Sequence, residues 1–181
     1  MAHSKEYLDQ LRKLHKKTSF GSGREIPRIV SNIIEKQKIE SFLDFGSGKG
    51  LLSNKLCSQY PDLTLYTYDP VTSPIELPDT VDMIYSSDVL EHIEPVLLDE
   101  TLADLFNRAT TYQYHLIACH PAKKHLADGR NAHLIIETPE WWKKKLSTFG
   151  WTVEFEETKT SVFDKRGLYI DIIKYITVLK K

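Results

Sequence analysis

Cysteine is scarce in this chain. Only Cys57 and Cys119 occur in 181 residues, one in an expected helix and one in an expected strand, without paired spacing. That leaves no basis for a disulfide framework or a cysteine-based zinc site, and both are read as buried thiols in a reducing compartment. Long apolar runs are missing too: none approaches the roughly 20 residues of a membrane span, and the polar N-terminus has no signal-peptide core. The expectation is a cytoplasmic protein with no membrane partner. An excess of one charge is also absent. With 24 basic and 25 acidic residues the chain has no general attraction to phosphate backbones, which argues against a sequence-independent nucleic-acid binder. There is no internal repeat, low-complexity tract or second domain, and 41% hydrophobic content over residues 1–181 suits a single domain with a real core.

What is present centres on Ser41-Phe42-Leu43-Asp44-Phe45-Gly46-Ser47-Gly48-Lys49-Gly50. Phe42, Leu43 and Phe45 read as a strand buried on both faces, and the glycines that follow permit backbone angles and ligand approach that side chains would block. Leu51, Leu52, Leu56 and Cys57 then carry an apolar helical face away from the turn. A strand, a glycine turn and a helix start set backbone N–H groups and a positive dipole end at the carboxyl edge of a sheet. The spacing is not the dinucleotide fingerprint, because the third glycine comes one residue early and Leu51 holds its place. Nor is it a P-loop, since Lys49 lacks the required neighbours. Leu63 to Tyr68 alternate as a strand that ends at Asp69-Pro70. Asp69 stands nineteen residues past Gly50, the separation at which a βαβ unit delivers a carboxylate to a ribose.

Asp44-x-Gly46-x-Gly48-x-Gly50 closely resembles motif I of the class I S-adenosylmethionine-dependent methyltransferases, and Val81 to Ile93, containing Asp88-Val89-Leu90-Glu91-His92-Ile93, resembles their motif IV. The resemblance implies a Rossmann-like α/β fold: a mostly parallel twisted sheet, helices on both faces and a C-terminal antiparallel hairpin. It implies S-adenosylmethionine as cofactor, its amino-acid end held by Asp44, Gly46, Ser47, Gly48 and Gly50 and its ribose by Asp69 and Pro70. Ser87, Asp88 and Val89 fall at a strand end on the ligand side. Residues 70–80 depart from the family, for Pro70, Pro74 and Pro78 leave no room for the usual helix and third strand. Ile75 is assigned to packing at the adenine, and the polar partner of that ring is left open.

Elsewhere, residues 4–17 read as an amphipathic helix with Tyr7, Leu8, Leu11 and Leu14 on one face, followed by a glycine segment, Ser19 to Gly23, that reads equally as a linker or as the hinge of a lid formed by residues 1–24. Pro27 opens a second helix, Pro95 a helix bearing Leu98, Leu102, Leu105 and Ala109, and Thr138-Pro139 one with Trp142, Leu146 and Phe149 inward and Lys143 to Lys145 toward water. Tyr112 to Cys119 is a strand. Residues 121–137, with Lys123, Lys124, Arg130 and His133, are a polar insertion above the sheet edge. Trp151 to Phe155 and Tyr169 to Val178 make the terminal hairpin around a turn containing Gly167.

For chemistry, His92 is the candidate base, since it follows a strand end on the ligand side and titrates near neutrality. Segments similar to Asp88-x-x-Glu91-His92 occur in metal-dependent O-methyltransferases of quinone biosynthesis and of small-RNA 3′ ends, where a later histidine completes the site. His133 is the suitable one here. Glu91, His92 and His133 are thus catalytic candidates and candidate ligands of a divalent ion, with a metal-free base preferred because Asp88 replaces the usual Glu. The leading expectation is methyl transfer to a small-molecule acceptor, at oxygen. The alternatives are nucleic-acid or nucleotide methylation and a non-catalytic cofactor-binding subunit.

Overall fold

The computed structural model describes residues 3–16, 25–165 and 168–181. Six strands, β1 (Ser41–Phe45), β2 (Thr64–Tyr68), β3 (Val81–Ser87), β4 (Ala109–Ala118), β5 (Thr152–Lys165) and β6 (Leu168–Lys180), form one sheet in the order β2-β1-β3-β4-β6-β5. The first four run parallel, while β6 is antiparallel to both β4 and β5. Residues 70–80 add no strand beyond a single bridge between Asp69 and Ser73, so β2 is an edge of the sheet. The mostly parallel sheet, the closing hairpin and the shortened third-strand region are those the sequence predicts.

Helices α1 (Lys5–Lys16), α2 (Arg28–Gln37), α3 (Leu51–Gln59), α4 (Leu98–Arg108) and α5 (Pro139–Ser147) complete the fold. Successive strand residues point to opposite faces, and both faces are covered, which is why β1 reads as an unbroken apolar run. On one face Phe42, Met83, Tyr85, Tyr112 and Tyr114 pack with Val30 and Ile34 of α2 and Leu52 and Leu56 of α3. On the other, Leu43, Ile84, Ile117 and Leu179 pack with Leu98, Leu102 and Leu105 of α4 and Trp142 and Leu146 of α5. A polar row crosses the buried sheet: His115 lies 2.8 Å from Ser86 Oγ through Nδ1 and 2.9 Å from Gln113 Oε1 through Nε2. Burial lowers the His115 pKa to about 3, so the ring is neutral.

Several local expectations need correction. Cys57 is exposed, because on α3 the inward positions are taken by Leu52, Ser53 and Leu56; only Cys119 is buried. Pro95 opens a 3-10 turn, Pro95–Leu97, before α4 begins, and Ala109 already belongs to β4. The lysine triplet is not merely solvated: Lys143 Nζ donates to Glu156 Oε1 at 2.5 Å and Lys145 pairs with Asp99. The insertion is polar in composition, yet it buries Leu126, Ala132 and Ile135. The hairpin is longer than read. β4 pairs with β6 only from Lys174 to Lys180, so the rest of the hairpin extends past the carboxyl end of β4. The Ser19 to Gly23 segment and Gly167 lie outside the described residues. No helix among those residues is long and apolar enough to cross a membrane.

Candidate active site

A cavity of about 630 Å³ opens at the carboxyl ends of the parallel strands. Its first end is built by the glycine turn between β1 and α3. Gly46 N and Ser47 N donate to Tyr68 O at 2.7 and 2.9 Å, which hooks the turn onto the end of β2. Gly46 has φ +82° and sits against Val89, where an added Cβ would lie 2.3 Å from Val89 Cγ2. Glycine is therefore required at 46 by a neighbouring side chain as well as by its backbone angle. Gly48 and Gly50 also have positive φ, at +54° and +68°, but face open space.

Two carboxylates serve this end. Asp44 accepts from Ser53 Oγ at 2.5 Å; burial raises its pKa to about 6, partly opposed by that bond. Asp69 accepts from Gly48 N at 3.2 Å and from Val71 N and Thr72 N at 2.9 Å each. A carboxylate offers about four lone-pair sites, so Asp69 shapes the turn and still has acceptor capacity to spare. α1 lies over this end, with His3, Tyr7 and Leu11 in the wall. It is fastened at both sides: the Tyr7 hydroxyl donates to His92 O, Ser4 Oγ to Glu94 Oε1 at 2.7 Å, and Gln10 Nε2 to Asp128 Oδ2 at 2.8 Å.

The second end is assembled from three distant segments. Leu90–His92 form a 3-10 turn past β3 that carries Glu91 and His92. Glu91 is fully buried; its Oε1 accepts from Ala118 N at 3.1 Å and its Oε2 has no hydrogen-bond partner among the described residues. Burial, reinforced by Asp88, raises its pKa to about 8. His92 Nδ1 lies 2.7 Å from Ala132 O, and His133 Nδ1 2.5 Å from His120 O. A carbonyl only accepts, so each Nδ1 is the donor and each Nε2 the basic nitrogen of the neutral ring. Burial lowers the His133 pKa. The two rings meet edge to face with centroids 4.8 Å apart, and one ligand atom from each of Glu91, His92 and His133 lies within 4.8 Å of the others. The insertion is shaped to hold this arrangement. Asn131 Oδ1 accepts from Ala122 N and His133 N at 2.9 Å each, and Ile135 N donates to Glu91 O at 3.0 Å.

No family model matches the chain, and no curated protein matches it. Solved structures do resemble it. The 1,6-didemethyltoxoflavin-N1-methyltransferase of Burkholderia thailandensis, solved with 1,6-didemethyltoxoflavin and S-adenosylhomocysteine, superposes with TM-score 0.65 at 16% identity, over 100% of this chain and 91% of that one. A methyltransferase of Methanosarcina mazei described as dependent on S-adenosylmethionine gives TM-score 0.60 at 13% identity, over 87% and 98%. The magnesium protoporphyrin IX methyltransferase of Synechocystis PCC 6803, solved with S-adenosylhomocysteine, gives 0.54 at 14% identity, over 96% and 93%. This chain has the class I methyltransferase fold.

Within that methyltransferase fold, the residues singled out on sequence distribute unevenly. Asp44, Gly46, Ser47, Gly48, Asp69, Pro70, Ser87, Asp88, Val89, His92 and His133 all line the cavity, with Glu91 buried directly behind it. Gly50 stands back from the wall as the residue that caps the start of α3. Ile75 is 40% exposed and lies outside the lining. Among the wall residues absent from the sequence reading as site residues are Tyr7, His120 and Lys174. Tyr7 reads as part of an apolar stripe on the N-terminal segment, residues 1–24, that the sequence offers as a lid, and not as a named site residue. His120 is visible only as the residue before Pro121; its ring lies 5.4 Å from that of His133. Lys174 pairs with Asp88 at 3.0 and 3.2 Å, and its signal was a lone lysine between Ile173 and Tyr175 in an apolar strand.

Proposed function

We propose that the protein binds S-adenosylmethionine at the glycine turn and Asp69 and transfers its methyl group to a small-molecule acceptor, at oxygen. The observation that carries this reading is one cavity joining that turn to the Glu91, His92 and His133 cluster. The cofactor supplies an electrophilic methyl group on a sulfonium. The chain supplies binding, alignment and a route for the acceptor proton. Asp44 faces the amino-acid end, Asp69 the ribose, and α1 covers both.

The cluster also fits a divalent cation. A buried carboxyl oxygen without a partner and two imidazoles fixed through carbonyl-bound Nδ1 atoms make an oxygen and nitrogen donor set that suits a borderline ion such as zinc better than magnesium. The unpartnered Glu91 Oε2 tips the reading from a metal-free base toward a held ion. Such an ion would lower the pKa of an acceptor hydroxyl. Ala132 O and His120 O orient the two rings, and Ala118 N holds Glu91 in place. Lys123 and Lys124 in the wall favour a nucleotide-containing acceptor as the second reading.

Calorimetry with S-adenosylmethionine and S-adenosylhomocysteine tests the first step. Both should bind the wild type, and Asp69→Ala should weaken them by about 2–4 kcal/mol, the scale of bonds to a charged acceptor. No binding by the wild type, or tighter binding of a nicotinamide dinucleotide, refutes the reading.

A further inference from the structure

The ion pair of Asp88 and Lys174 lines the same cavity as His92 and His133. Asp88 follows β3 directly, with φ 53°, a left-handed angle rare for a residue with a side chain. That conformation turns the chain from the strand into the 3-10 turn of Glu91 and His92, and Asp88 N donates to Leu116 O at 2.9 Å. Both carboxylate oxygens of Asp88 are in reach of Lys174 Nζ, at 3.0 and 3.2 Å. The pair is largely shielded, the side chains being 20% and 32% exposed. Asp88 and Lys174 both act electrostatically on Glu91 and on His133, with opposite signs. Asp88 itself is outside the trio of converging ligand atoms.

We propose that the Asp88 and Lys174 ion pair sets the affinity of the Glu91, His92 and His133 cluster for a divalent cation, Lys174 opposing the ion by its charge and Asp88 favouring it. This rests on the reading of the cluster as an ion-holding site and adds to it a control. Three ligands with a fixed ammonium nearby make a weak, exchangeable site. The same three ligands without the ammonium make a tight one. Charge at this range acts in a partly buried setting, where a unit change moves a cation's affinity by an order of magnitude or more. The two members should have opposite effects when removed singly and, because each acts on the ion through its own charge, should add to nearly nothing when removed together.

The test is titration of the full-length chain with zinc by calorimetry and with cobalt by visible absorption, at one pH, with thermal melting as the folding check. Lys174→Met, which keeps the apolar stem, should bind about tenfold tighter or more than the wild type. Lys174→Arg should stay within about threefold, because it keeps the charge. Asp88→Asn should bind about tenfold weaker, and the double variant Asp88→Asn/Lys174→Met should return close to the wild type. If the wild type binds and Lys174→Met is no tighter, or Lys174→Arg tightens as much as Lys174→Met, the proposal is overturned and the ion-holding reading survives. If neither the wild type nor any variant takes up either ion, that reading fails and takes the proposal with it.

Discussion

The two ends of the cavity are made in different ways. The end proposed for the cofactor comes from one stretch of chain, residues 44–50, and the first carboxylate beyond the next strand, and it is built largely from backbone: Gly46 N and Ser47 N on Tyr68 O, Gly48 N on Asp69. The end proposed for the acceptor gathers side chains from the 3-10 turn, the insertion and β6, and the two imidazoles are held through Ala132 O, His120 O and Asn131. A backbone-built end tolerates most side-chain changes except at its glycines. An end built from side chains can lose its function through any one of several substitutions while the fold stands. The difference teaches where chemistry can vary and where it cannot.

The largest expected effect separates the ends completely. His92→Ala and His133→Ala should each lower turnover by about a thousandfold or more, while S-adenosylhomocysteine affinity, measured by calorimetry, stays within a few-fold. A parallel loss of cofactor affinity would break the comparison. A smaller effect probes the contact the ends share. Gly46→Ala combines a positive φ with a clash against Val89, and should cost about 2–3 kcal/mol in denaturant melts. Adding Val89→Ala should recover part of that cost, because the clashing atoms are its methyl groups. No recovery would mean that backbone strain alone sets the penalty.

The smallest effect lies in neither end. His115 is held neutral by burial, its pKa lowered from 6.5 to about 3. Below pH 6.5 the unfolded chain takes up a proton that the folded chain refuses until about pH 3, so this group's contribution makes stability fall as pH falls through that window. The slope should be about 1 kcal/mol per pH unit, somewhat under the full linkage value. Denaturant melts at pH 7, 6 and 5 should show His115→Gln with a shallower acid slope than the wild type. Equal slopes would mean that the Ser86, His115 and Gln113 row is open to solvent in solution.

Legibility in the sequence followed the same division. Motif I, Asp69 and the strand run of residues 81–87 could be placed because their spacing is local and turn chemistry fixes their neighbours. The missing third strand was equally plain from Pro70, Pro74 and Pro78. The hairpin's length was not, for the boundary of β5 depends on pairing with β6 rather than on β propensity in Glu156 to Lys159. His92 and His133 could be named as a pair because the Asp88-x-x-Glu91-His92 segment resembles one that a later histidine completes. Tyr7, His120 and Lys174 could not, since what brings them to the wall is the register of β4 with β6 and the docking of α1, and both are tertiary facts. Ile75, assigned on sequence to packing at the adenine, is 40% exposed, and that assignment is left as a proposal.

The bond from the Tyr7 hydroxyl to the carbonyl of His92 makes the cover and the far wall of the cavity a single mechanical part. α1 walls the cavity proposed to seat the cofactor, yet its latch is the peptide that carries an imidazole of the proposed acceptor end. Lifting the cover therefore means releasing that peptide, and seating it again means restoring the ring's position. Under the proposed function the molecule is a box whose hasp is also the tool inside.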